Sequence, residues 1–373
     1  MPLMNSGSFK GFVTDRAPGL LVCAAIGAVA EATATRMPIS LSPLLYATAF
    51  GIAIGNTMRL FDPELKSMQR AEIGMTFAKR RMLRAGIILY GAKVTFGKIL
   101  GIGLPGLLTD LYAVISTLAL GFTLGRLLGL SEGLTTLIST GSAICGCSAV
   151  AATQPIINAE AHEVAAAVGV VVLCGTSAMF LYPFLFKTLP FLAADPRLMG
   201  IYTGSTVHEL AGVVAAGNSM GAEVASTSVV TKLLRVFLLE PWIIMLYYLG
   251  IGQSSKAAGV GTGEGGDEGS ADAAAGTTAP ATSKAGKGVP WFAFGFIGVA
   301  CYNSVFGIAP AAQRLITTLS AGFLASAMAA LGLDTDLVKV RKLGARPIVL
   351  AMALWANLLG GGLLVARFLV GAL

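Results

Sequence analysis

Residues 140–155 read TGSAICGCSAVAATQP. Apolar segments lie on both sides, yet this stretch is built from small, polar and flexible residues. Upstream, Ser131 is placed to cap a helix and Glu132 to sit at its positive end. That helix runs to about Thr140. Gly141 and Gly146 then allow backbone angles that other residues resist. Ser148 is placed to cap a second short helix ending near Asn158. The expectation is a discontinuous span over 131–158, two short rods meeting end to end. Irregular backbone at membrane depth is tolerated only where it lines protein or a water-filled cavity. The second rod would present free N–H groups and the positive end of its dipole, which favour anions. Ser142 and Ser148 add hydroxyls and Cys145 lies between them, so a small oxyanion is the natural guest. The plainer reading is a packing seam in which small residues let helices approach.

A membrane setting follows from composition. Of 373 residues, 55% are hydrophobic and 12% charged, and the mean hydropathy is +0.77. Soluble domains carry roughly 25% charged residues, so this chain has too little charge to coat a water-facing surface. A formal net charge of +7 could suit nucleic acid. The basic residues instead fall in short loops between apolar runs, where they orient a membrane protein. No nucleic-acid partner is expected, and lipid is the expected surroundings. The cysteines (Cys23, Cys145, Cys147, Cys174, Cys301) form no CxxC pair and read as buried free thiols, with no metal site.

About eleven apolar segments can be marked, an all-α polytopic pattern. They lie near 17–35, 41–58, 82–98, 106–128, 131–158, 161–187, 196–218, 225–250, 290–307, 313–333 and 346–371. Lys10 and Arg16 precede the first, which resembles a signal peptide but reads better as a retained helix. Residues 62–81 read as amphipathic and interfacial. Residues 252–289 are Gly/Ala/Ser/Thr-rich and read as a flexible linker. The domain division expected is 1–38 for an extra N-terminal helix, 39–190 for one five-helix repeat, and 191–251 with 290–373 for a second. An odd repeat length inverts the second half, as in many secondary transporters. This cut pairs 131–158 with the helix at 313–333. A competing signal is the direct likeness of TGSAICGCSAVAA (140–152) to TGSTVHELAGVVAAG (203–217), taken here as shared chemistry and not as the repeat.

Orientation comes from Arg59, Lys66, Arg70, Lys79, Arg80, Arg81 and Arg84 in one loop region, and Lys339, Arg341, Lys342 and Arg346 in another. The positive-inside rule places these and the linker in the cytoplasm, with the N-terminus inside and the C-terminus periplasmic.

The second polar stretch is Thr203–Glu209. Thr203 and Ser205 offer hydroxyls, while His208 and Glu209 are ionisable groups in an apolar span, which marks them for function. His208 can donate to an anion and switch with pH; Glu209 can carry a proton. Thr206 to Glu209 also fits a capping box, a structural role. His162, beside Glu160 and Glu163, reads as solvated. Lys232 and Arg235 are one turn apart and either snorkel or form the positive wall of an anion cavity. Asn303, Thr317, Thr318 and Ser320 are weaker candidates from the second half. His208-Glu209 begins a HExxH zinc motif, but position 212 is Gly and the other histidine is His162. No Ser–His–Asp set or phosphate-binding loop appears, so no enzyme and no cofactor is expected.

With these motifs in view, GSAICGCSAVAATQP, GSTVHELAGVVAAG with Lys232 and Arg235 after it, and AMAALGL at 327–333 resemble the YeiH-like sulfate exporter family of bacterial inner membranes. The resemblance runs from about residue 17 to the end. It implies a carrier of ten or so helices, similar in outline to bile-acid and arsenite carriers, that exports sulfate or a related sulfur oxyanion. Carried over by motif, the site residues would be Gly141, Ser142, Cys145, Gly146, Ser148, His208 and Glu209; Gly212 departs from a usual polar residue. The resulting expectation is alternating-access transport of a small inorganic anion, coupled to H+ or Na+ through His208 or Glu209. A sodium-coupled organic-anion symporter and a non-transporting anion sensor remain as alternatives, and homodimerisation is left open.

Overall fold

The computed structural model describes residues 9–37, 41–61, 66–249, 291–336, 338 and 343–372. The linker expected at 252–289, and the loop residues Lys339, Arg341 and Lys342, lie outside these. Among the described residues every regular element is helical. In chain order these are α1 (Phe9–Ala34), α2 (Pro43–Phe61), α3 (Lys66–Phe77), which passes through a π-turn into α4 (Leu83–Tyr90), and α5 (Phe96–Leu127). Then follow α6 (Glu132–Ala143), α7 (Cys147–Ile157), α8 (Ala161–Thr188), a single turn α9 (Pro190–Ala193), α10 (Pro196–Thr206) and α11 (Leu210–Met220). The last are α12 (Ala222–Phe237), α13 (Leu239–Leu249), α14 (Trp291–Val305), α15 (Pro310–Asp334) and α16 (Ala345–Ala372). Six helices are long and apolar enough to cross a membrane: α5, α8, α15, α16, α2 and most of α1.

The helices sort into two bundles. One holds α1–α4, α14 and α15; the other holds α5–α13 and α16. They meet chiefly where α5 touches α14 and α2 touches α11. Hydrogen bonds cross between them, the Ser42 N–H donating to Ser219 Oγ at 2.8 Å and the Phe96 N–H to Ser304 Oγ at 2.6 Å, while one buried apolar cluster includes side chains of both bundles, such as Leu45 and Val213. Within α5, Gly103 breaks the helix at φ 54°, ψ −151° just before Pro105. The start of α5 therefore belongs with the first bundle and the rest with the second.

The break at 140–147 is real, but the two rods do not continue one another. Val150 Cγ2 would lie 2.8 Å from a Cβ on Gly141. In an unbroken helix, residues nine apart stand roughly 13.5 Å apart along the axis. Ser131, at the start of α6, also hydrogen-bonds Glu163 in the first turn of α8. The beginning of α6 and the beginning of α8 thus share one end of the bundle. So α6 enters and α7 returns to the face from which α6 came, as a re-entrant hairpin. This corrects the expected through-going span. Its tip is a turn in which the Gly146 N–H reaches back to Gly141 O at 2.9 Å and Gly146 takes φ 70°, open to glycine and costly for other residues.

A second hairpin follows. α8 has 28 residues, about 42 Å, enough to carry the chain across. From its far end α10 runs inward and stops at Thr206; α11 leaves from Leu210. After Gly221, α12 lies against both arms, with Ala225 Cα 2.7 Å from a Cβ on Gly217 and Ser228 O 2.5 Å from one on Gly204. The two hairpins therefore enter from opposite ends of α8. In the five-plus-five pairing 131–158 corresponds to α15, yet α15 is one uninterrupted helix over Pro310–Asp334. The element that shares the break is α10–α11, carrying the second TGS.

Candidate functional site

The two tips meet on α12. Arg235 is fully buried and donates from Nη2 to Ser142 O at 2.8 Å, from Nη1 to Ser205 O at 2.5 Å, and from Nε to Ala143 O at 2.6 Å. Lys232, equally buried, donates to Ile144 O at 2.6 Å and Val207 O at 2.7 Å. Ser142 pairs with Ser205, and Ile144 with Val207, at the same spacing along the chain as Thr140 and Thr203. The likeness of the two TGS stretches is therefore a structural repeat: equivalent carbonyls of two inverted hairpins take equivalent hydrogen bonds from two cations.

The physical reason is plain. A helix ending inside the protein leaves carbonyls unpaired and carries a partial negative charge there. Two such ends, from α6 and α10, converge. The guanidinium fork satisfies three carbonyls and the ammonium two. Neither side chain snorkels, and neither is a bare positive wall, because its donors point at backbone.

Other polar groups stand around this brace without partners. Ser142 Oγ, Ser205 Oγ, Thr203 Oγ1 and both ring nitrogens of His208 are buried and make no hydrogen bond among the described residues. His208 and Thr203 are fully buried. Asp110 on α5 is likewise enclosed; neither of its oxygens is hydrogen-bonded, though Ser205, Arg235 and Lys232 lie close to it. Unpartnered buried polar atoms are rare in folded proteins and call for a reason. Here five sequence-marked residues (Ser142, Ser205, His208, Lys232, Arg235) and Asp110 share one locus. Asp110 was not picked out from sequence, although a charged residue in the apolar run GLLTDLYAV is the signal that singled out His208.

The N-terminus of α7 is already filled. Its N-cap is Gly146, not Ser148; the Ser148 hydroxyl donates back to Cys145 O at 3.0 Å and lies 3.1 Å from Cys145 Sγ. Glu209 reaches over from the other hairpin, its Cγ 2.6 Å and Oε1 3.2 Å from where a Cβ on Gly146 would stand. The amide and thiol of Cys147 engage the Glu209 carboxylate. The capping-box role for Thr206 and Glu209 fails: Thr206 donates to Tyr202 O and pairs with Tyr182 Oη, and Glu209 makes no side-chain cap.

Asn303 is not part of this cluster. It sits on α14 and donates to Ala92 O at 3.0 Å, a bond inside the first bundle. Ser320 donates to Gly86 O and Thr317 to Arg314 O, again within the first bundle or on its surface. None of these three hydrogen bonds reaches the two tips. His162 is exposed and pairs with Glu160 at 3.1 Å at the start of α8. The five cysteines are free.

The profile of a family described as conserved hypothetical protein 698 matches residues 18–351. A UPF0324 membrane protein of Pseudomonas aeruginosa is 41% identical over 356 residues, 93% of either chain. One from Bacteroides thetaiotaomicron is 38% identical over 333 residues, 89% of this chain and 91% of the relative. The UPF0324 inner membrane protein YeiH of Escherichia coli K12 is 37% identical over 351 residues, 92% of either. No solved structure matches the chain.

Proposed function

We propose that this chain, which belongs to the conserved hypothetical protein 698 family of UPF0324 and YeiH-like membrane proteins, is a secondary transporter for a small inorganic oxyanion. The observation that carries the reading is the convergence of two inverted helical hairpins on a buried locus whose hydroxyls and imidazole have no protein partner. Half-helices ending in mid-bilayer are how many carriers build substrate sites. The hydroxyls of Ser142, Thr203 and Ser205 and the ring of His208 would hold the anion, with the α7 amides beside them. Lys232 and Arg235 would contribute charge at short range while bracing the tips. The few helix contacts between the bundles, and the Gly103 break, suit a motion that exposes the tips to one face and then the other.

By the positive-inside rule the face with Arg126 and Arg346, where the α6–α7 hairpin opens, would be cytoplasmic. Sulfate or a related sulfur oxyanion is the cargo we favour, because tetrahedral oxygens match a ring of hydroxyl and amide donors. The test is counterflow of labelled sulfate in proteoliposomes. Saturable counterflow, abolished in Ser142→Ala/Ser205→Ala protein, supports the reading. Absence of flux with sulfate, sulfite and thiosulfate refutes it.

A further inference from the structure

We propose that Glu209 is a tethered stand-in for the transported anion. It holds the N-terminus of α7 while the carrier is empty, and gives way, taking up a proton, when an oxyanion enters. This inference rests on the transport reading above and names its coupling.

The argument starts from the repeat. In the alignment of the two tips Glu209 corresponds to Gly146. One hairpin has a carboxylate where the other has no side chain. That carboxylate lies across the gap, against Gly146 itself, at the first amides of α7. A helix N-terminus attracts negative charge, and here the protein supplies its own. A substrate oxyanion drawn to those amides must displace Glu209 or share the site with it at high electrostatic cost.

The surroundings allow the exchange. Cys147 and Glu209 are half-buried and Ser148 is exposed, so the end of α7 reaches the protein surface while Lys232 and Arg235 are sealed. Around this end lie Lys79, from the turn after α3, and Asp334 at the end of α15, paired at 2.6 Å. Both act on the Cys147–Glu209 pair. The titratable and charged groups facing Glu209 are therefore Cys147 and Cys145 from the first tip, Lys232 from α12 and Lys79 from the first bundle. Asp334 faces Cys147, and His208 precedes Glu209 in the chain. Lys79 and Asp334 belong to the opposite bundle, so relative motion of the bundles would change the charge beside Glu209.

The exchange balances simply. The carboxylate leaves the α7 amides, binds one proton from the water that reaches this exposed end, and the oxyanion takes its place; on release the steps reverse. One proton then moves with each anion. The experiment measures sulfate affinity of the full-length protein by calorimetry between pH 5.5 and 8, where sulfate itself does not titrate. Wild type is expected to weaken about tenfold per pH unit in the range where Glu209 must be protonated to yield. Glu209→Gln, of the same shape and permanently neutral, is expected to bind independently of pH and more tightly than wild type at pH 8. A pH-independent wild type, a Glu209→Gln protein that keeps the wild-type slope, or one that loses binding at every pH overturns the proposal. Sulfate binding and flux that persist in any of those cases leave the transport reading standing. A wild type that binds no sulfur oxyanion removes both.

Discussion

Replacing Arg235 by Met keeps most of the side-chain volume and removes every donor. Three carbonyls, of Ser142, Ala143 and Ser205, then lose their partner in a sealed site. A buried acceptor left unsatisfied costs about 1–3 kcal/mol, which gives an upper figure near 9 kcal/mol for three. Hydrogen bonds measured inside a membrane protein average nearer 0.6 kcal/mol, which gives a lower figure of about 2 kcal/mol. The loss should fall between these, toward the upper half, because the carbonyls are helix ends that concentrate negative charge. Asp110 also loses a neighbouring cation. Arg235→Lys keeps the charge but cannot span three carbonyls as the fork does, so it should lose less than Arg235→Met. Equilibrium unfolding in mixed micelles, followed by tryptophan fluorescence, reads this well. Trp242 Nε1 donates to Thr140 Oγ1 at 2.9 Å, directly beside the first tip. Arg235→Met protein as stable as wild type, or no worse than Arg235→Lys, would refute the idea that Arg235 ties the hairpins together.

Three further outcomes are expected. Gly103→Ala, at φ 54° and ψ −151°, should cut sulfate flux several-fold while leaving sulfate binding within about twofold, because strain of about 1–3 kcal/mol falls on the link between bundles and not on the tips; parallel flux and calorimetry check this. Gly146→Ala combines φ 70° with a Cβ only 2.6 Å from Glu209 Cγ, so it should destabilise the protein and disturb anion affinity together, read by unfolding and titration. Glu163→Ala removes the acceptor of Ser131 and of the Glu160 N–H, and should cost about 1–3 kcal/mol in the same unfolding assay.

Much of this site is visible in the residues alone. The Gly/Ser-rich break at 140–147, the Ser131 cap and the importance of Lys232, Arg235 and His208 all follow from placing polar groups in an apolar chain. What local chemistry does not give is direction. Helices of 12 and 11 residues suit either one broken span or a hairpin, since together they would also cross a bilayer. The choice is made by contacts distant in sequence, such as Ser131 with Glu163. The second TGS was the available signal for the repeat. Weighing it as a repeat would have paired α6–α7 with α10–α11 and set Asn303 aside. Asp110 was legible by the rule already applied to His208. The capping of five carbonyls by two cations was not legible, because it depends on two helix ends and one helix face coming together.

The inverted-hairpin arrangement is tested most directly by the sidedness of single cysteines labelled with a membrane-impermeant maleimide, in a background whose reactive native thiols have been replaced. Cysteines placed at Ser131 and Asn158 should react from one and the same side of the membrane, and those at Asp195 and Gly221 from the other. Labelling of Ser131→Cys and Asn158→Cys from opposite sides would mean that 131–158 passes straight through, and would contradict the account at its root.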